Sequence, residues 1–122
     1  MIRASTIAIA ASLAFACMAG PAFAHAQLEK ATPSVGGTVA SASEIRLEFS
    51  EGVEPRFTGV TLTAPGGANV PLGAPNVDPS DQRVLIVPIA KALAAGVYAV
   101  HWHAVSVDTH HTQGTFEFTV RP

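Results

Sequence analysis

Five histidines and one Asp-x-His triplet carry most of the chemistry this chain can do. The histidines are His25, His101, His103, His110 and His111, and Asp108 stands two residues before His110. In extended backbone, side chains two residues apart point the same way. Asp108 and His110 then offer a carboxylate oxygen and an imidazole nitrogen on one side of a stiff element, half of a site for a transition metal. The same spacing also fits a capped turn with a solvated histidine. His25 differs from the other four because it follows Ala22-Phe23-Ala24, with small residues at the two positions a signal peptidase requires. Cleavage after Ala24 frees an α-amine beside the imidazole. Those two nitrogens form a two-toothed chelate that an internal histidine cannot make. Three nitrogens and one oxygen suit the tetragonal preference of Cu(II), one ion per chain.

The start of the chain supports this cleavage. Arg3 precedes an apolar run from Ile7 to Ala16, which is the pattern of a secretory leader. Residues 1–24 are expected to be a cleaved signal peptide. Residues 25–122 are expected to form one domain of 98 residues, enough for a single core. The domain keeps six of the seven Lys and Arg residues and all nine Asp and Glu, a formal charge near −3. No basic patch points to nucleic acid. No long apolar stretch follows the leader, so no transmembrane segment is expected in the mature chain. The single cysteine, Cys17, and both methionines, Met1 and Met18, fall within the leader. Ala14-Phe15-Ala16 lacks the leucine expected before a lipidated cysteine. The mature domain therefore has no disulfide and no sulfur ligand for Cu(I), while all five histidines remain.

The elements that must position these residues are short strands. Ile45, Leu47 and Phe49 alternate with Glu44, Arg46 and Glu48, the pattern of a half-buried strand. Val60 and Leu62 repeat it before a turn at Pro65-Gly66-Gly67. Val70 and Leu72 mark a short strand, Pro75 to Asp81 a loop, and Val84 to Val87 a buried strand. Val97 to Val105 is the longest candidate, and Phe116, Phe118 and Val120 alternate in the last. A weak first strand near 27–31 brings the number to about seven. The fold class is all-β, an immunoglobulin-like Greek-key sandwich or barrel. Lys91 to Ala95 favours at most one helical turn between Pro88 and Gly96. Tyr98 follows a tight turn and begins a late strand, as in a tyrosine corner. Alternation puts Tyr98, Val100 and Trp102 on the core face and His101 and His103 outside. Phe49, Phe57, Phe116 and Phe118 complete the expected aromatic core.

Taken in order, these pieces resemble the CopC family of periplasmic copper-resistance proteins across the whole mature domain. The matching residues are His25, Ala31-Thr32-Pro33 with Gly36, and Leu47 to Glu51. Leu93, Gly96-Val97-Tyr98, Val100, Trp102, Val105 to His110, and Gly114 before the last strand follow. The resemblance implies a small Greek-key β-barrel or sandwich that binds Cu(II) in the periplasm through His25, Asp108 and His110. Glu51 matches an acidic position near that site in some members, either as an axial or outer carboxylate or as a solvated strand end. The resemblance also implies a copper carrier or buffer, with a CopD-like inner-membrane copper permease or another periplasmic copper protein as partner. Some members carry a Met-rich loop for Cu(I). The matching stretch here, Leu62 to Leu72, has neither Met nor His, so a Cu(II)-only member is expected.

Two other classes compete. An amino-terminal histidine with a second histidine also forms the copper brace of polysaccharide monooxygenases. Here Asp108 would block a position those enzymes leave open, and the domain is short for a polysaccharide surface, so no enzymatic activity is expected. A metal-free immunoglobulin-like interaction module is the other rival. His101 and His103 are expected to be solvated surface residues, and His111 to point away from His110.

Overall fold

The computed structural model describes residues 26–122; His25 and the expected leader lie outside them. The described chain forms nine strands and no helix. These are β1 (Leu28–Thr32), β2 (Thr38–Val39), β3 (Glu44–Phe49), β4 (Gly59–Thr63) and β5 (Asn69–Val70). The rest are β6 (Asn76–Asp78), β7 (Asp81–Pro88), β8 (Gly96–Val105) and β9 (His111–Val120). One sheet has the order β1-β3-β7-β6 and the other β2-β9-β8-β4-β5. The two sheets enclose one apolar core, as the all-β sandwich reading requires. The seven expected strands correspond to β1, β3, β4, β5, β7, β8 and β9, and β2 and β6 are additional.

Alternation explains which residues fill the core. Ile45, Leu47 and Phe49 of β3 are fully buried, and Arg46 and Glu48 between them are only partly covered. Leu85 and Val87 of β7, Val100 of β8 and Phe118 of β9 meet them in the core. The Phe49 ring meets Trp102 edge-on at 5.3 Å, and Tyr98 stacks on Phe118 at 5.6 Å. The Tyr98 hydroxyl donates to the Ala94 carbonyl at 2.7 Å. That is the tyrosine corner the sequence predicts, and it pins the entry to β8. No helical turn precedes it. Lys91 and Ala95 are bends with irregular chain between them, because the seven residues between Pro88 and Gly96 are too few to nucleate a helix against the pull of the flanking strands.

Four expectations change. Pro75 to Asp81 is not all loop: Asn76–Asp78 pairs with β7 as an edge strand. Trp102 lies on the inner face but is half-buried, at the rim of the core. Phe57 is not core. It ends a turn closed by its own N–H on the Glu54 carbonyl at 3.1 Å, and 61% of it is exposed. Gly114 does not precede the last strand but sits inside β9, directly opposite Trp102. A Cβ at Gly114 would fall 2.6 Å from Trp102 Cζ2, so the indole lies over bare backbone, a use of glycine that strands reserve for close approach.

Gly114→Ala should therefore overpack this corner and cost about 1–3 kcal/mol of stability. Urea unfolding followed by tryptophan fluorescence would check it. An unchanged midpoint would mean that the indole moves aside freely.

Candidate metal site

The site sits where β8 turns into β9. The ten-residue pairing of these strands runs from Gly96↔Val120 to Val105↔His111. Beyond it the chain closes tightly. Thr109 N–H donates to the Ser106 carbonyl at 2.8 Å, and Ser106 N–H donates to the His110 carbonyl at 2.9 Å. This is a three-residue hairpin loop of Val107, Asp108 and Thr109, with the third in the left-handed region. Thr109 has φ of 72°. A β-branched residue there is an outlier and costs on the order of 1–2 kcal/mol. Such strain persists only where the surroundings enforce it, and here two backbone hydrogen bonds do so.

The turn, rather than extended backbone, brings the two candidate ligands together. Asp108 Oδ1 lies 3.1 Å from His110 Nδ1. Two ligands about 2.0–2.2 Å from one first-row ion, at right angles, stand about 3 Å apart. The pair's spacing is that of two ligands of one ion, although in this structure the two atoms bond each other. Their side chains are 39% and 46% exposed, so an ion reaches them from solvent. Ser106 is fully buried, and its hydroxyl donates to Asp108 Oδ1. It also accepts the His110 N–H at 3.2 Å. The Ser106 hydroxyl, and then the His110 ring, hold the Asp108 carboxyl below its ordinary range. Among the described residues no third His, Cys, Asp or Glu completes a metal-sized group with this pair.

Two further segments converge on the loop. Gly52 accepts the Val107 N–H at 3.0 Å, Glu54 N–H donates to the Val105 carbonyl at 2.8 Å, and Val53 bridges to Ser106. Glu51 is partly buried at the head of that segment. The second is the start of the described chain. Ala26 is fully buried, and its carbonyl accepts the Thr112 hydroxyl at 2.7 Å. Thr112 follows His110 by two residues. Nothing in the sequence singles it out, because its partner lies 86 residues away.

The other histidines do not join the pair. His101 and His103 are exposed on the outer face of β8, as expected. His101 Nδ1 meets Thr115 Oγ1 of β9 at 3.1 Å, whereas the His103 ring lies over Gly59 of β4. The two rings lean toward opposite neighbours. His111 shares a shallow groove with Glu54, Phe57 and Val107.

The fold and the hairpin loop define a small two-sheet β-sandwich protein with an acid–imidazole pair at one end. Comparison with known proteins places it further: the chain belongs to the CopC family, whose CopC domain matches residues 28–121. It is 42% identical over 100 residues to Protein YobA of Escherichia coli K12, covering 81% of each chain. It is 35% identical over 125 residues to Copper resistance protein C of Xanthomonas campestris pv. juglandis, covering 98% of this chain and 95% of the relative. Among solved structures it resembles PcoC, a methionine-rich copper resistance protein from Escherichia coli. The TM-score is 0.73 at 32% identity, covering 80% of this chain and all of PcoC. These likenesses bear out the sandwich fold and the copper-resistance family.

Because the folded-state value of Asp108 is depressed, its contribution to stability is present above the ordinary carboxylate pKa, about 3.9. It is lost as pH falls through the lower folded-state value. Ser106→Ala should raise the Asp108 midpoint toward the ordinary value and flatten that part of the acid unfolding curve. Carboxyl-carbon NMR titration of both proteins would show this; identical midpoints would remove Ser106 as the cause.

Proposed function

We propose that this chain is a periplasmic Cu(II) carrier or buffer. In this reading the leader is removed after Ala24, and one Cu(II) is held by the α-amine and imidazole of His25 with Asp108 and His110. The observation that carries it is the Asp108–His110 pair, 3.1 Å apart on a closed loop, beside the seat of Ala26. The residue bonded to the Ala26 nitrogen has its Cα about 3.8 Å from that of Ala26, so in this reading His25 can reach the loop. Glu51 is the neighbouring carboxylate, able to act on the site from outside the ligand set. The relatives named for copper resistance support copper as the cargo. The role is binding and transfer rather than catalysis. Its recipient is a CopD-like inner-membrane permease or another periplasmic copper protein. No helix among the described residues is long and apolar enough to cross a membrane.

A Cu(II) titration followed by electron paramagnetic resonance tests this on two preparations, one starting at His25 and one with a single Gly before it. The first should bind one Cu(II) tightly with a multi-nitrogen tetragonal spectrum, and the second should not. Equal binding by both would move the site to internal histidines. Amine and imidazole titrate near 8 and 6.5 in reference peptides and must lose protons to bind metal. Affinity should therefore fall steadily from pH 8 to pH 5.

The mature domain contains no sulfur, and soft Cu(I) favours thiolate and thioether ligands. Cu(I) should bind far more weakly than Cu(II). Anaerobic competition with a chromophoric chelator measures the difference. Stoichiometric, tight Cu(I) binding would defeat the Cu(II)-only assignment.

A further inference from the structure

The first described residues are stitched to both sheets at once. Ser50 N–H donates to the Gln27 carbonyl at 2.8 Å, and Gln27 N–H donates to Ser50 Oγ at 2.9 Å. This ties Gln27 to the end of β3, in the first sheet. One residue earlier, the buried Ala26 carbonyl accepts the Thr112 hydroxyl at 2.7 Å, which ties it to β9 in the second sheet. The β1–β3 register slips between Leu28 and Lys30. A bulge of this kind bends its strand, and the chain stays bonded to the end of β3 through Gln27 before Ala26 reaches β9. Thr112 itself pairs with Ala104 across the β8–β9 ladder, so its backbone is held by the same hairpin that carries Asp108 and His110.

We infer that Thr112 is a positioning residue for copper: its hydroxyl, acting on the Ala26 carbonyl, sets where the amino-terminal ligands stand relative to Asp108 and His110. The inference rests on the proposed Cu(II) site and adds the residue that assembles it. A peptide plane is rigid. The Ala26 carbonyl shares its plane with the Ala26 Cα and the Gln27 amide, so holding it together with the Gln27–Ser50 bonds fixes the Cα from which the chain runs back to the preceding residue. Without the hydroxyl, the terminal ligands keep their chemistry but must be ordered when the ion binds. That ordering opposes binding, which is why pre-organised sites are tighter. Partners outside the ligand set typically change metal affinity tenfold to a hundredfold.

The test uses the mature protein starting at His25, with Thr112→Val and Thr112→Ser. Valine keeps the branched shape and strand propensity and removes the hydroxyl; serine keeps the hydroxyl. Circular dichroism and thermal melts without metal establish that each variant folds. Cu(II) is then loaded and challenged with excess EDTA, with electron paramagnetic resonance on the loaded forms. Thr112→Val should lose copper about tenfold to a hundredfold faster and show a spectrum with altered nitrogen hyperfine coupling. Thr112→Ser should stay near wild type in both readouts. Wild-type release and spectrum in a folded Thr112→Val protein would overturn the inference while leaving the copper site standing. Equal loss in both variants would also overturn it, since the hydroxyl would then not be the cause. Failure of the wild-type protein to bind Cu(II) would instead count against the site itself and remove the inference with it.

Discussion

The β8–β9 ladder is the constraint on which the rest depends. Ten consecutive residue pairs hold these strands in register, and register decides everything that projects from them. It sets Tyr98, Val100 and Trp102 toward the core and His101 and His103 toward solvent. It leaves three residues to close the hairpin, so Thr109 must take a left-handed conformation and Asp108 must face His110. It also carries Thr112 to the Ala26 carbonyl, at the first described residue. A slip of one residue would reverse every side chain on the strand and dismantle core and loop together. The Tyr98–Ala94 hydrogen bond at the far end guards against that slip.

Much of this was legible because it rests on local rules. Period-two alternation identified β3, β8 and β9, and a tyrosine after a tight turn identified the corner. The Asp-x-His pair was legible as chemistry but not as geometry. Extended backbone and a tight turn both bring such residues together, and only the hydrogen bonds around Ser106 show that the turn does it. Phe57 misled because hydrophobicity says what a residue would gain from burial, not whether the backbone gives it access to the core. Its turn faces the residue outward. Asn76–Asp78 looked like a loop because a three-residue edge strand flanked by prolines carries no periodic signal. Gly114 is expected before the last strand, whereas it lies inside β9 and leaves room for the indole directly opposite it on β8. Thr112 and Ala26 were invisible for a different reason: contacts across 86 residues leave no local trace.

The relationship to PcoC sharpens the chemical reading. That relative is described as methionine-rich, whereas this chain has two methionines, both before His25. The β-sandwich is shared; the sulfur is not. The loops between strands can change their donor atoms without disturbing the ladder, because those segments take little part in the core. The acid–imidazole pair differs in this respect, since the hairpin that shapes it is continuous with the two longest strands.

The Thr112–Ala26 contact has one more consequence, for the unfolded chain. It joins positions 86 residues apart, nearly the full length of the described residues, which contain no cysteine. Closing a loop of that size carries a large entropy cost, which a single hydrogen bond meets only within the folded sandwich. An ion gripped from both sides of that closure would act as a removable cross-link between the two ends of the fold. The domain's resistance to unfolding and to proteolysis at its ends would then rise and fall with its cargo.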